Sequence, residues 1–210
     1  MKSNSCCRFC NLVNGKYEYA EVDPPFVSNK LFVATASIGA LVEGWTLIIP
    51  KDHQFSMKYF YNDPEFTDFT RHVIKRLNIE YGRLIVFEHG ANREGSITSC
   101  GTNHAHLHLV PFKDSLTQEL LDSGLKWINS RVCDIFEKTE EAEYLFYTEI
   151  GIEETWNNPS GYLHILSEPI SQYFRRLIAF KLGHTGTSDY KQFPYIETAQ
   201  KTRKKLVIGI

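Results

Sequence analysis

A chain of 210 residues, 42% hydrophobic and 23% charged, has ordinary globular make-up and room for one domain with a sizeable extension, which excludes long disorder. Its formal net charge of -2 gives no general attraction to polyanions, so a nucleic-acid duplex is not an expected partner and any anionic ligand has to be recognised in a local pocket. No apolar run approaches the ~20 residues of a membrane span, Met1 to Ser5 lack the apolar core of a secretory signal, and Cys6, Cys7, Cys10, Cys100 and Cys133 form no even disulfide scaffold; the expectation is a soluble protein of the reducing cytoplasm, with no membrane contact.

In chain order, Phe26 to Thr35 and Trp45 to Ile49 read as strands, the second stopped by Pro50, with Gly39 and Gly44 marking the turn between them. From Pro64 to Tyr81 the residues Phe66, Phe69, Val73 and Leu77 recur at three and four, while Arg71, Lys75 and Arg76 fall outward. This spacing predicts an amphipathic helix that Gly82 ends. Leu84 to Phe87 is a short apolar strand, and the Gly, Asn and Ser-rich stretch from Gly90 to Thr102 is a loop of the kind that binds substrate. Past Pro111, Ser115 and Gln118 suggest a capping box for a helix carrying Leu116, Leu120 and Leu121. Asp134 to Glu143, Gln172 to Leu182 and Ile196 to Leu206 read as helices, Tyr144 to Ile150 and Tyr162 to Leu166 as strands, and Tyr190 to Pro194 as loop.

Between the glycine-rich loop and Pro111 lies Asn103-His104-Ala105-His106-Leu107-His108-Leu109-Val110. In an extended strand, alternate positions share a face, so His104, His106 and His108 stand roughly 6.6 Å apart on one side, with Ala105, Leu107 and Leu109 as core on the other. Three such positions span roughly 13 Å, too far for all of them to meet one metal ion, so a three-histidine catalytic metal site is not expected. A nucleophilic imidazole needs an orienter on one nitrogen and a neighbouring donor for the charge that develops on the electrophile. His106, flanked on both sides, is the natural nucleophile and His108 the donor, and a phosphoryl centre suits the pair.

This pattern of His-x-His-x-His, two apolar residues and a proline resembles the signature of the histidine triad superfamily of nucleotide hydrolases and transferases, from Cys7 to Phe112, about half the chain. The expected fold is α+β: an antiparallel sheet with packed helices as a catalytic domain over 1–113, and a C-terminal α+β extension over 114–210 of unassigned role that covers or shapes the site. The resemblance implies that His106 attacks the α-phosphate of a nucleotide conjugate to form a nucleotidyl-histidine, with His108 assisting at the phosphate and His104 supplying orientation. The implied ligand is a nucleotide or dinucleoside polyphosphate-like small molecule, without an organic cofactor, and the implied assembly is a homodimer.

This chain departs from the family at two places. The family's Gly-Gln-Ser run corresponds to Ser99-Cys100-Gly101-Thr102, so Ser99, Thr102 or Asn103 would contact the phosphate instead. The family's ribose-binding Asp is missing, with Ser37 near its place and Trp45 where a His is usual. These departures motivate an alternative, a nucleotide-binding module that has lost efficient catalysis.

Cys7-Arg8-Phe9-Cys10 has thiol spacing suited to tetrahedral zinc, with free buried thiols or a redox pair as the other readings. The resemblance implies that Cys7, Cys10, His53 and His104 close a structural zinc site that leaves no position for a catalytic water. Glu88 and His89 at a strand end either bond their own turn or contact substrate. Arg175 and Arg176 either reach a phosphate or lie on a solvated helix face.

Overall fold

The structure, a computed structural model, describes residues 7–99 and 101–208; Cys6 and Cys100 lie outside the described residues. A short helix, α1 (Arg8–Val13), begins at Cys7, and the strand expected from Phe26 onward is split into β1 (Val27–Ser28) and β2 (Phe32–Ala36). The break is local chemistry: the Asn29 side-chain carbonyl accepts the N–H groups of Leu31 at 3.0 Å and Phe32 at 2.7 Å, an Asx turn that turns the chain back on itself. β3 (Thr46–Pro50) runs antiparallel to β2 and takes Pro50 into the ladder opposite Phe32.

The helix predicted over Pro64 to Tyr81 is α2 (Pro64–Tyr81). Asp63 caps it by accepting the Glu65 N–H at 2.8 Å, Pro64 fills its first turn, and Gly82 ends it at φ 81°. β4 (Leu84–Gly90) outruns its apolar stretch because the alternation continues through Glu88 and His89. β5 (Leu107–Pro111) starts later than the motif suggests, so only His108 lies inside the strand. His104 and His106 approach it through irregular backbone that Ala105 pins by donating to the Gln54 carbonyl at 2.6 Å.

The second half supplies α3 (Thr117–Leu121), β6 (Ile128–Arg131), α4 (Ile135–Thr139), β7 (Tyr144–Ile150), β8 (Ser160–Ile165), α5 (Tyr173–Lys181) and α6 (Ile196–Ile208). Two expectations are corrected here, and one strand is added. The Ser115 capping box does not form: Ser115 donates to Glu149 and accepts from Thr117 N–H, and α3 starts without a side-chain cap, leaving Leu121 exposed. The charged helix is shorter than Asp134 to Glu143, since Glu140 at φ 44° ends it. β6 carries no alternation strong enough to announce it.

The eight strands among the described residues form one antiparallel sheet in the order β1-β2-β3-β5-β4-β7-β8-β6. The fold is thus α+β, and the sheet runs unbroken across residue 113, because β7 pairs with β4 from Leu84↔Ile150 to Gly90↔Tyr144. Alternation sorts the two faces. Ile48, Val86, Leu107 and Leu109 pack under α2 through Phe66, Phe69, Val73 and Leu77. Ile49, Phe87, Val110 and Leu145 face the other way, against Phe9 and Leu12 of α1 and Phe174 and Ile178 of α5. The buried Glu88 carboxylate lies on the α2 side, where it accepts from the hydroxyls of Tyr61, Tyr144 and Ser56 and from Met57 N–H. Its neighbour His89 is thereby directed to the α1 and α5 face. No helix among the described residues is long and apolar enough to cross a membrane.

Candidate active site

β5 sits between β3 and β4, with His108 opposite Leu47 on one side and Phe87 on the other. The His108 ring stacks on Phe87, centroids 4.5 Å apart, and its Nδ1 accepts the indole N–H of Trp45 at 3.0 Å. That bond fixes the tautomer: the proton resides on Nε2, which is left as a donor. His106 carries the opposite assignment. Its Nδ1–H donates to the His104 carbonyl at 2.8 Å, so Nε2 keeps the lone pair that a nucleophile needs. Burial lowers the pKa of both rings, His106 to about 4 and His108 well below its ordinary value, so both are neutral at pH 7.

The two rings, 4.7 Å apart between centroids, line a cavity of about 50 Å³ together with His89, Arg8, Arg175 and Thr102. No carboxylate is among the described residues that line it. The volume suits a phosphoryl group and is well under the roughly 300 Å³ at which pockets for whole small molecules begin. A neighbouring hollow of about 150 Å³ shares Arg8, Thr102 and Tyr190 with it and offers room for a larger substituent. Arg8 is held by Asp23 and Glu18 and stacks near Phe9. Arg175 comes from α5, is buried, lies 4.9 Å over the Trp45 ring, and donates to the carbonyls of Ser188 and Gly39. The extension therefore reaches into the site, and it also covers it. Gly39, at φ 72°, accommodates Tyr190 so closely that any side chain there would collide with it, and the Gly39 N–H donates to Pro194.

The other sequence-predicted residues divide. Thr102 and Ser37 line the cavity, although the Ser37 hydroxyl donates to the Ile38 carbonyl at 3.1 Å. Ser99 and Asn103 bond one another and close the loop: Asn103, at φ 48°, accepts from Ser99 Oγ at 3.3 Å and from Gly95 N–H at 3.1 Å. His104 turns away from the cavity. Of the two residues that the sequence offers as substrate contacts or as structural groups, His89 and Arg175, both line the cavity; Arg8 at the cavity and Trp45 as partner of His108 have no such reading from sequence. His89 is signalled by its place in the alternation two residues beyond Phe87, and Arg175 by a guanidinium suited to a phosphate.

His104 joins Cys7, Cys10 and His53 in a cluster whose ligand atoms all lie within 4.8 Å of one another. Its Nδ1 is 3.4 Å from Cys7 Sγ and 3.5 Å from Cys10 Sγ, and His53 Nδ1 is 3.1 Å from Cys10 Sγ. A regular tetrahedron with Zn–N near 2.1 Å and Zn–S near 2.3 Å puts its donors roughly 3.4–3.8 Å apart, so these four residues fit a metal of that kind. The Nε2–H of His104 donates to the Pro50 carbonyl at 2.8 Å, which directs the Nδ1 lone pair toward the thiols. The first turn of α1 brings the cysteines together, Cys10 N–H lying 3.5 Å from Cys7 Sγ.

No family model matches the chain, and no curated protein does. Among solved structures it is similar to a Hit-like protein involved in cell-cycle regulation from Bartonella henselae, at 17% identity and TM-score 0.39, over 55% of this chain and 86% of that one. A hypothetical histidine triad nucleotide-binding protein from Sulfolobus tokodaii matches at 22% identity and TM-score 0.38, over 52% of this chain and 70% of that one. An HIT family hydrolase from Clostridium thermocellum matches at 19% identity and TM-score 0.38, over 52% and 92%. These proteins are described as members of the same family that the triad motif resembles.

Proposed function

We propose that this protein is a nucleotidyl hydrolase or transferase of the histidine triad type, cleaving a nucleotide conjugate at its α-phosphate through a covalent adduct on His106. The observation that carries the reading is the pair of opposite tautomers at one phosphoryl-sized cavity, a lone pair on His106 Nε2 beside a donor on His108 Nε2. In the first step the N–P bond forms at His106 as the bond from phosphorus to the leaving group breaks. His108 donates to a phosphoryl oxygen, and the charges of Arg8 and Arg175 favour the anion. In the second step water, or another acceptor, attacks phosphorus and the N–P bond breaks, which returns His106 to its starting state. Cys7, Cys10, His53 and His104 would hold a structural zinc that fills all four of its positions and braces the approach to β5.

A second reading, a nucleotide-binding module with weak catalysis, is favoured by the cover that Tyr190 and Pro194 place over Gly39, beside Ser37 at the site. One experiment separates the two: intact-protein mass after mixing wild type or His106→Ala with nucleoside polyphosphates and phosphoramidates, quenched to preserve an acid-labile adduct, alongside released nucleotide. Turnover with an added nucleotidyl mass that requires His106 supports the enzyme, with a loss on the order of 10⁴-fold or more in the variant. Tight nucleotide binding without adduct or product supports the module.

A further inference from the structure

His89 is 5% exposed, and neither of its ring nitrogens has a hydrogen-bond partner among the described residues. Its neighbours explain the isolation. The ring lies against Phe174 at 5.2 Å and Phe87 at 5.7 Å between centroids, and neither offers an acceptor or a donor. A neutral imidazole brings one N–H and one lone pair, and leaving both buried and unpaired is costly unless something else occupies the space they face. The ring also lines the cavity shared with His106 and His108, where a bound group could supply that partner.

Strand register accounts for the placement. Phe87 pairs with His108 in the β4–β5 ladder, so two residues further along β4 the chain reaches the level of His106, on the same face. The His89 and His108 rings lie 6.1 Å apart between centroids, on adjacent strands beside one cavity.

We propose that His89 is a further substrate-contacting residue of this site, donating its ring N–H to a non-bridging oxygen of the phosphoryl group that His106 attacks. The inference rests on the phosphoryl-transfer reading above and deepens it by naming the kind of phosphorus centre. A nucleotidyl phosphorus in a conjugate carries two non-bridging oxygens, both equatorial during in-line displacement. Two donors on adjacent strands, His108 and His89, match that number. Burial holds the His89 pKa down to about 3, which keeps the ring neutral, with one N–H to give.

The test uses zinc-replete full-length protein and two probes, AMP and inorganic phosphate. Ring ¹⁵N resonances are followed by NMR during titration, with His89 assigned by its loss in His89→Phe. Binding of each probe is measured calorimetrically in wild type, His89→Phe, His89→Asn and His89→Gln, with thermal melting to show that each variant folds. The expected result is that both probes shift the His89 resonance, that His89→Phe weakens both by about 10- to 100-fold, and that Asn or Gln restores most of the loss by replacing the donor at Nδ1 or Nε2. The amide that rescues identifies the donating nitrogen. An unmoved His89 resonance during phosphate titration, or a folded His89→Phe that binds both probes like wild type, overturns the proposal. The two readings fail separately: a shifted His89 with no His106-dependent turnover removes the enzyme and leaves the contact, whereas turnover with unchanged kcat and KM in His89→Phe removes the contact and leaves the enzyme.

Discussion

The indole N–H of Trp45 donates to Nδ1 of His108 across 3.0 Å, and this bond between residues 63 apart in the chain decides which nitrogen of His108 is left to face a ligand as a donor. Trp45 is fully buried and sits between Phe87, edge-on at 5.9 Å, and the guanidinium of Arg175. Replacing it with Phe keeps most of the packing and removes the N–H, so His108 is free to adopt the other tautomer. Trp45→Phe is expected to lower kcat by about 10- to 100-fold with little change in KM, because the lost interaction serves the transition state more than binding. Steady-state kinetics check this together with the ¹⁵N shifts of His108, and a variant with wild-type kcat would show that the tautomer is set by something else.

The four-residue cluster gives a prediction about composition and stability. The purified protein is expected to contain one equivalent of zinc by elemental analysis, and Cys10→Ser or His53→Ala to lose it. Because His104 belongs both to the cluster and to the segment that presents His106, metal loss should destabilise the native state by about 3 kcal/mol or more, which in a chain of this size lowers Tm by roughly 6–12 °C. A metal-free protein that melts like the zinc-loaded one would leave the cysteines as buried free thiols.

Acid should weaken the fold through the buried imidazoles. Burial, with smaller effects from His106 and the guanidiniums of Arg176 and Arg175, lowers the His89 pKa from its ordinary 6.5 to about 3; burial first, then His106, His89 and Arg175, lower that of His108. Between about 3 and 6.5 the unfolded chain therefore binds more protons at His89 than the native state does, so stability rises with pH through that window. The His89 contribution is fully present above 6.5 and is lost as pH falls toward 3. Going from pH 7.5 to 5.0, it amounts to about 2 kcal/mol. Urea midpoints at the two pH values, in wild type and His89→Phe, test it: the acid-induced loss should shrink in the variant by about that amount, and an equal loss in both would mean that His89 is protonated in the native state.

Local chemistry made some of this molecule legible in advance. The helix from Pro64 to Tyr81 has matching bounds in sequence and structure because its apolar period, its Asp63 cap and its Gly82 stop all lie within the segment itself. The alternation at His106 and His108 likewise put Leu107 and Leu109 into the core beneath α2. Cys7 and Cys10 could be read as a pair because one turn of helix brings such a spacing together. Competing local options override the pattern elsewhere: Asn29 breaks a strand that its apolar neighbours suggest, and Ser115 is drawn to Glu149 instead of a helix end.

What the sequence by itself determined, then, is the set of side chains whose partners lie within a turn or a strand pitch: the helix, the spacing of the histidines and the thiol pair. Tertiary structure alone decided the chemistry of each ring. His104 serves the cysteine cluster because α1 folds against the β5 approach, and His108 is a donor because Trp45 lies on the neighbouring strand. Arg175 reaches the site across 136 residues to bond Gly39, and His89 faces the cavity by the register of β4 on β5. Hydrogen-bond partners, burial and the resulting proton positions are set by groups brought together through sheet pairing and loop closure, and no period in the chain encodes those distances.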